Sequence, residues 1–219
     1  MDGEVACVDP ETGLSDIEAI LFRLKAGKHD KIIRLTRSLP VTFVIFDILM
    51  YKGKDLRRLP LMERKAILGS LSLPGPSFWI VPYVEGAGEA LFEQIESWGM
   101  EGMVGKRKDS LYVSRQSEAW QKIINWSYAE VFITGYRKKE FGWLTAVLDG
   151  SGRMRPTGIM EHGPGQKAKQ AFYRVSKGII SGEDKNFVYL EPRIRAEVKM
   201  RNWTKSGMLR DPVFTRFIV

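Results

Sequence analysis

The run VTFVIFDILMY, Val41–Tyr51, leaves few folds open. It is apolar almost throughout and rich in β-branched and aromatic residues, so it predicts a central strand buried by its neighbours. Its surroundings alternate between strand and helix patterns. GEVACV reads as a strand, DPETG as a turn, and SDIEAILFRLK as a helix. In that helix Ser15 is the expected N-cap, Glu18 completes a capping box, and Ile17, Ile20, Leu21 and Leu24 form an apolar stripe. KGKDL is a turn, LMERKAILGSL a helix with Pro60 near its first turn, FWIVPYVE a short strand, and AGEALFEQIESWG a helix closed by Gly99. EGMVGKR is strand-like again. The expected class is α+β, with antiparallel or mixed sheets.

The character changes after Trp126. Three strand patterns follow, separated by a charged turn between Tyr136 and Phe141 and by the hairpin signal DGSG. One helix, GQKAKQAFYRVSKGI, interrupts them before strands return to the end. Five or so short strands with one inserted helix, in about 90 residues, fit a small barrel of the oligonucleotide-binding type. The boundary falls near Asn125–Tyr128, giving domains 1–126 and 127–219. Charge divides at the same place. Residues 1–126 hold 17 Lys and Arg and 17 Asp and Glu; residues 127–219 hold 17 against 9. The whole net charge of +8 therefore belongs to the second domain, which points to a polyanionic partner. No apolar run approaches the ~20 residues of a membrane span. With one cysteine, Cys7, the chain can form no internal disulfide and no cysteine zinc cluster. MDGEVACVDPETG has neither the basic start nor the apolar core of a signal peptide. The expected setting is the reducing cytoplasm, and the expected state a monomer.

Chemistry concentrates in GMEGMVGKRKDSLYVSRQSEAWQKIINW, Gly99–Trp126. Glu101 stands among apolar strand residues, which predicts at least partial burial. A buried carboxylate needs a cation. Lys106, Arg107 or Lys108 could supply it in a strand-end salt bridge. So could a hard metal ion such as Mg²⁺, which takes one or two carboxylates together with substrate oxygens.

Five segments occur in order: FDIL (Phe46–Leu49), PLMERKAIL (Pro60–Leu68), EGMVGKRKDSLY (Glu101–Tyr112), SEAWQKI (Ser117–Ile123) and MLRDPVFTRF near the end. Together they resemble the ATP-dependent DNA ligases, especially the compact bacterial and phage kind, of the covalent nucleotidyltransferase superfamily. The resemblance covers almost the whole chain. It implies part of an adenylation domain followed by an oligonucleotide-binding domain, with ATP and Mg²⁺ as cofactors and nicked duplex DNA as partner. By the same resemblance, Glu4 of the DGE element lies near the ribose and the metal ion. Phe46 stacks on adenine, and Glu101 is the second metal-side carboxylate. Lys106 and Lys122 meet the nucleotide phosphates, while Arg115 falls near a family arginine of open role. Arg210 and Arg216 face triphosphate or DNA. Arg137, Lys138 and Lys139 are the remaining expected DNA contacts.

Two departures stand out. After the tryptophan the family carries Lys-x-Lys; here Ile124 occupies the second lysine position. The family's nucleophile is the lysine of a Lys-x-Asp-Gly motif upstream of DGE, and that motif is absent from these 219 residues. The expectation is a ligase-derived chain beginning midway through the adenylation domain, unable to adenylate itself. Such a chain should expose apolar strands, among them Val41–Met50. Alternative readings are a catalytically inactive nucleic-acid-binding protein, an RNA ligase or capping-type nucleotidyltransferase, and a structural two-domain protein.

Overall fold

The structure is a computed structural model that describes residues 1–9 and 13–218. It divides into two compact units, Met1–Ile123 and Ile124–Val219. Pro10–Thr12, and with them most of the DPETG turn, lie outside the described residues.

The first unit runs β1 (Asp2–Ala6), α1 (Ile17–Leu24), α2 (His29–Ser38), β2 (Thr42–Asp47), β3 (Met50–Tyr51), β4 (Lys54–Asp55), α3 (Leu61–Gly69), β5 (Phe78–Ile80), α4 (Gly88–Ser97), β6 (Gly102–Lys106) and β7 (Trp120–Ile124). The run around Phe46 is the centre of its sheet, antiparallel to β1 and parallel to β5. Alternation along β2 decides what each face does. Ile45 and Asp47 point into a core with Ile48, Leu56 and Leu68. Val44 and Phe46 point the other way. The β3–β4 hairpin turns at Lys52 and Gly53, both with positive φ, as a tight two-residue hairpin requires.

Gly3 of β1 has no room for a side chain against β2. A Cβ there would meet the Val44 carbonyl oxygen at 2.5 Å and the Ile45 Cα at 3.0 Å. Both are backbone atoms, so neither can swing aside. Gly3→Val is expected to destabilise the first unit by about 1–3 kcal/mol, read as a lower denaturant midpoint; an unchanged midpoint would show that β1 is not held here.

Several expectations are corrected. Asp16, not Ser15, caps α1, accepting from the Ala19 N–H at 3.0 Å; Ser15 instead bridges to Val8 through its backbone. The α1 stripe is largely uncovered, since Ile17, Leu21 and Leu24 are exposed, as are Ile32 and Ile33 of α2. Within Val41–Met50 the expected exposure holds only at Met50; Ile45, Asp47 and Ile48 are buried and the rest half-buried. Helix α2 has no counterpart in the sequence reading.

The second unit runs β8 (Ser127–Arg137), β9 (Trp143–Leu148), β10 (Met154–Met160), α5 (Gln166–Ser176), a 3-10 turn (Lys177–Ile179), β11 (Ile180–Glu183), β12 (Phe187–Met200) and β13 (Val213–Ile218). Its sheet follows the order β10-β9-β8-β12-β11, and β13 pairs with the other end of the long β12. A parallel bridge from His162 to Val213, with the Phe214 N–H donating to the His162 carbonyl at 2.9 Å, brings the last strand beside the end of β10. The sheet is thus curled into the expected barrel. Trp143, Phe172, Ile133 and Met160 fill it; Phe172 comes from α5, which closes the core. Trp143 is core, whereas Trp79 and Trp98 of the first unit are exposed.

Candidate nucleotide site and basic surface

Strands β6 and β7 form a two-stranded sheet that places Lys106 and Trp120 together. The Lys106 Nζ lies 3.6 Å from the Trp120 ring centroid and 4.3 Å from that of Phe46. The two rings meet edge to face at 6.4 Å. Each attracts a cation through its negative face. Lys106 is held down to about 8. Burial against the rings is the main cause, and the like charge of Lys65 adds to it, with a smaller push from Arg64. Asp47 and Asp2 pull the other way. Burial lowers Lys65 as well. Lys106 therefore sits against two aromatic rings and within electrostatic reach of Lys65, whose own amine lies 5.0 Å from the Tyr83 ring centroid, an arrangement suited to an anionic, flat ligand.

The scaffold behind Lys106 is a buried ion pair. Asp47 and Arg64 are both 0% exposed. The Arg64 Nε and Nη2 donate to the Asp47 carboxylate at 2.9 and 2.8 Å. Its Nη1 donates to the carbonyls of Leu59, at 2.5 Å, and Ser110, at 3.1 Å. The Ser110 hydroxyl accepts from the Trp120 Nε1 at 3.1 Å and donates to the Arg107 carbonyl at 2.7 Å. The Tyr112 hydroxyl donates to Asp2 at 2.8 Å, and its ring meets Trp120 edge to face. One guanidinium thus ties the end of β2, helix α3 and the β6–β7 connection together, and these segments carry Phe46, Lys106 and Trp120. Asp2, Asp47, Arg64, Lys65, Ser110, Tyr112 and Trp120 carry no role in the sequence reading. For Asp47 the signal was present: a carboxylate inside an apolar strand needs a cation.

The other expected nucleotide residues lie as follows. Glu4 pairs with Val44 across β1 and β2 and so shares the face of Phe46; Trp79 shares it through the β2–β5 register. Glu4 is exposed. Glu101 is exposed too, which corrects the expectation of burial: it precedes β6 instead of lying within it. Arg107 pairs with Asp109 at 3.0 Å and Lys108 with Glu85 at 2.5 Å. Lys122 is exposed on β7, and alternation puts it on the Trp120 side with Ile124. Arg115 lines a shallow depression of about 350 Å³ with Tyr112 and Trp120. Among the described residues no three His, Cys, Asp or Glu side chains form a metal-binding group. Glu4 and Glu101 are nonetheless hard oxygen donors, the kind Mg²⁺ takes one or two at a time beside phosphate oxygens.

In the second unit the expected DNA contacts are mostly ion-paired. Arg137 pairs with Glu140, at 3.0 Å, and with Glu161. Lys138 pairs with Glu183 at 2.9 Å and Arg216 with Glu197 at 3.0 Å. Lys139 is exposed and makes no ion pair among the described residues. Arg210 sits between β12 and β13, where its N–H donates to the Asn202 carbonyl at 3.1 Å and its own carbonyl accepts from Arg201 at 3.0 Å.

A family model described as the ATP dependent DNA ligase domain matches residues 1–123, and one described as the ATP dependent DNA ligase C terminal region matches residues 109–217. Among curated proteins, the SPbeta prophage-derived DNA ligase-like protein LigB of Bacillus subtilis is 34% identical over 217 residues, covering 98% of this chain and 73% of that protein. The bifunctional non-homologous end joining protein LigD of Bacillus subtilis is 28% identical, covering 99% of this chain but 37% of its own length. The chain thus spans little more than a third of that larger relative. Among solved structures, the ligase domain of M. tuberculosis LigD superposes with a TM-score of 0.50 at 24% identity, covering 100% of this chain and 72% of that one. A Lig E DNA ligase gives 0.66 at 19% identity, covering 100% and 76%. These two likenesses bear on the fold: a ligase nucleotidyltransferase domain joined to an oligonucleotide-binding domain.

Proposed function

The chain belongs to the ATP-dependent DNA ligase family, and from that premise we propose that it carries the nucleotide- and DNA-binding parts of a nick-sealing ligase without the lysine that accepts AMP. The observation that supports this most is the Lys106 amine seated against Phe46 and Trp120, within a segment that the family model covers. Adenine stacks on Phe46, which offers a flat apolar face. Because Lys106 now lies over that ring, ATP draws the amine off toward its phosphates or takes the ring's other side. Lys106 and Lys122 balance charge on the phosphates, where positive charge lowers the barrier to transfer. Glu4 and Glu101 would hold Mg²⁺, which when bound supplies further charge at the phosphates. Residues 127–219 serve as the DNA-binding domain, with Arg137, Lys138, Lys139 and Arg216 on the duplex backbone. Such contacts to phosphate are independent of sequence and sensitive to salt.

In the family reaction a lysine amine attacks the α-phosphate and releases pyrophosphate. AMP then passes to a 5′-phosphate at the nick, and the 3′-hydroxyl displaces it. With no Lys-x-Asp-Gly among these residues, the first step is assigned to none of them. The chain works as a monomer on nicked duplex.

A pH profile tests the site. Lys106 is charged below about 8 and neutral above it, so its pull on phosphate is present at pH 7 and fades as pH rises through 8. Calorimetric ATP binding should weaken by several-fold between pH 7 and 9. Lys106→Gln should bind weakly at both. A pH-independent affinity equal in the two proteins would contradict the assignment. A second reading, a catalytically inactive nucleic-acid-binding protein, is favoured by Ile124 at the second lysine position; it requires DNA binding with no ATP binding at either pH.

A further inference from the structure

The charge of the second unit is not spread evenly once its ion pairs are drawn. From His162 to Gly182 the chain has four cations, Lys167, Lys169, Arg174 and Lys177, and no Asp or Glu. These are half of the net +8. Eight of the unit's nine Asp and Glu are ion-paired elsewhere: Glu140, Glu161, Glu183 and Glu197 with the cations already described, Glu130 with Arg195 at 2.9 Å, Asp149 with Arg153, Glu191 with Arg193 and Asp211 with Arg201. Among the described residues none of Lys167, Arg174 and Lys177 forms an ion pair. All three are exposed, as is Gln170.

Helix geometry aligns them. At 100° per residue, positions 167, 170, 174 and 177 fall within an arc of about 80°. The opposite side of α5, with Ala168, Phe172 and Tyr173, is packed into the barrel. The exposed side is therefore a rigid basic stripe. Its first turn holds Lys167 and Lys169 and no acidic residue, although the helix dipole disfavours cations there. An external anion would relieve that conflict.

We propose that the α5 stripe, Lys167, Gln170, Arg174 and Lys177, is a second DNA-contacting surface, which grips the phosphate backbone of the duplex. This rests on the reading of residues 127–219 as the DNA-binding domain. The stripe is about 15 Å long at 1.5 Å per residue, enough to reach about two or three successive phosphates of one strand. Charge complementarity favours nucleic acid. A membrane would need an apolar face to insert, and that of α5 is already inside the barrel. Unlike Arg137, Lys138 and Arg216, these cations have no carboxylate to give up before meeting phosphate.

The test is the salt dependence of nicked-duplex binding by the full chain, followed by fluorescence anisotropy from 50 to 300 mM salt. Each phosphate contact contributes a slope of about −0.9 in log K against log salt. The K167Q/R174Q/K177Q variant should therefore lose about 2–3 units of slope while keeping the melting curve of the parent. K167R/R174K/K177R should restore it. If the triple variant melts differently, K167Q alone should lose about one unit. An unchanged slope in a folded variant would overturn the proposal while leaving DNA binding intact, and would leave an acidic protein as the partner of the stripe. A parent chain that binds no duplex at all would overturn the DNA-binding reading with it.

Discussion

Arg64→Ala should unfold the first unit or lower its stability by about 3–5 kcal/mol. The size follows from what is left behind. Asp47 is wholly buried and takes two hydrogen bonds from that guanidinium, a third coming from the Ile48 N–H at 2.8 Å. Removing the cation strands a carboxylate in an apolar core, and it orphans the carbonyls of Leu59 and Ser110. Arg64→Lys keeps the charge but cannot form the two-pronged contact, so it should fall between parent and alanine. Asp47→Leu combined with Arg64→Met removes both charges and should recover much of the loss, because a buried pair contributes little net stability over apolar groups. Urea melts of the four proteins decide the matter. An Arg64→Ala midpoint equal to that of the parent would show that the pair is not closed in solution.

Trp143→Ala should weaken the second unit by about 3–5 kcal/mol. Trp143 is fully buried, with Phe172 at 4.4 Å and Phe214 at 5.5 Å between ring centroids. Deleting the indole opens a cavity at the meeting point of β9, α5 and β13. The salt-dependent duplex binding proposed for this unit should weaken with it, since the core sets the strands that carry Arg137 and Arg216. A folded variant with parental stability would mean that the core re-forms without the indole.

The barrel was largely legible because its signals are local. Period-two strands and the DGSG turn sit within a few residues of one another, and the Asp149 carboxylate indeed accepts from the Ser151 and Arg153 N–H groups to close that turn. The proposed nucleotide site was legible only in part. Phe46 and Lys106 were identified, and they meet. The brace behind them joins Asp47 to Arg64 and Arg64 to Ser110, 17 and 46 positions apart, and pairs at such separations leave no spacing pattern to read. A lone carboxylate in an apolar strand needs a cation, and the residue that meets that description is Asp47, not the exposed Glu101. Helix α2 was not expected, and its lack of a side-chain cap at Lys28 does not explain this, since α3, α4 and α5 lack one as well. The α1 stripe announced a helix, but periodicity does not say what covers it.

The most direct measurement is retention of ATP labelled on the α-phosphate, read on the native protein and again after acid denaturation. Label should be held by the folded chain with Mg²⁺ and released completely on denaturation: a nucleotide site without its nucleophile. Label that survives denaturation on a lysine would place the nucleophile within these 219 residues and contradict that claim. No label on the native chain would contradict the site itself.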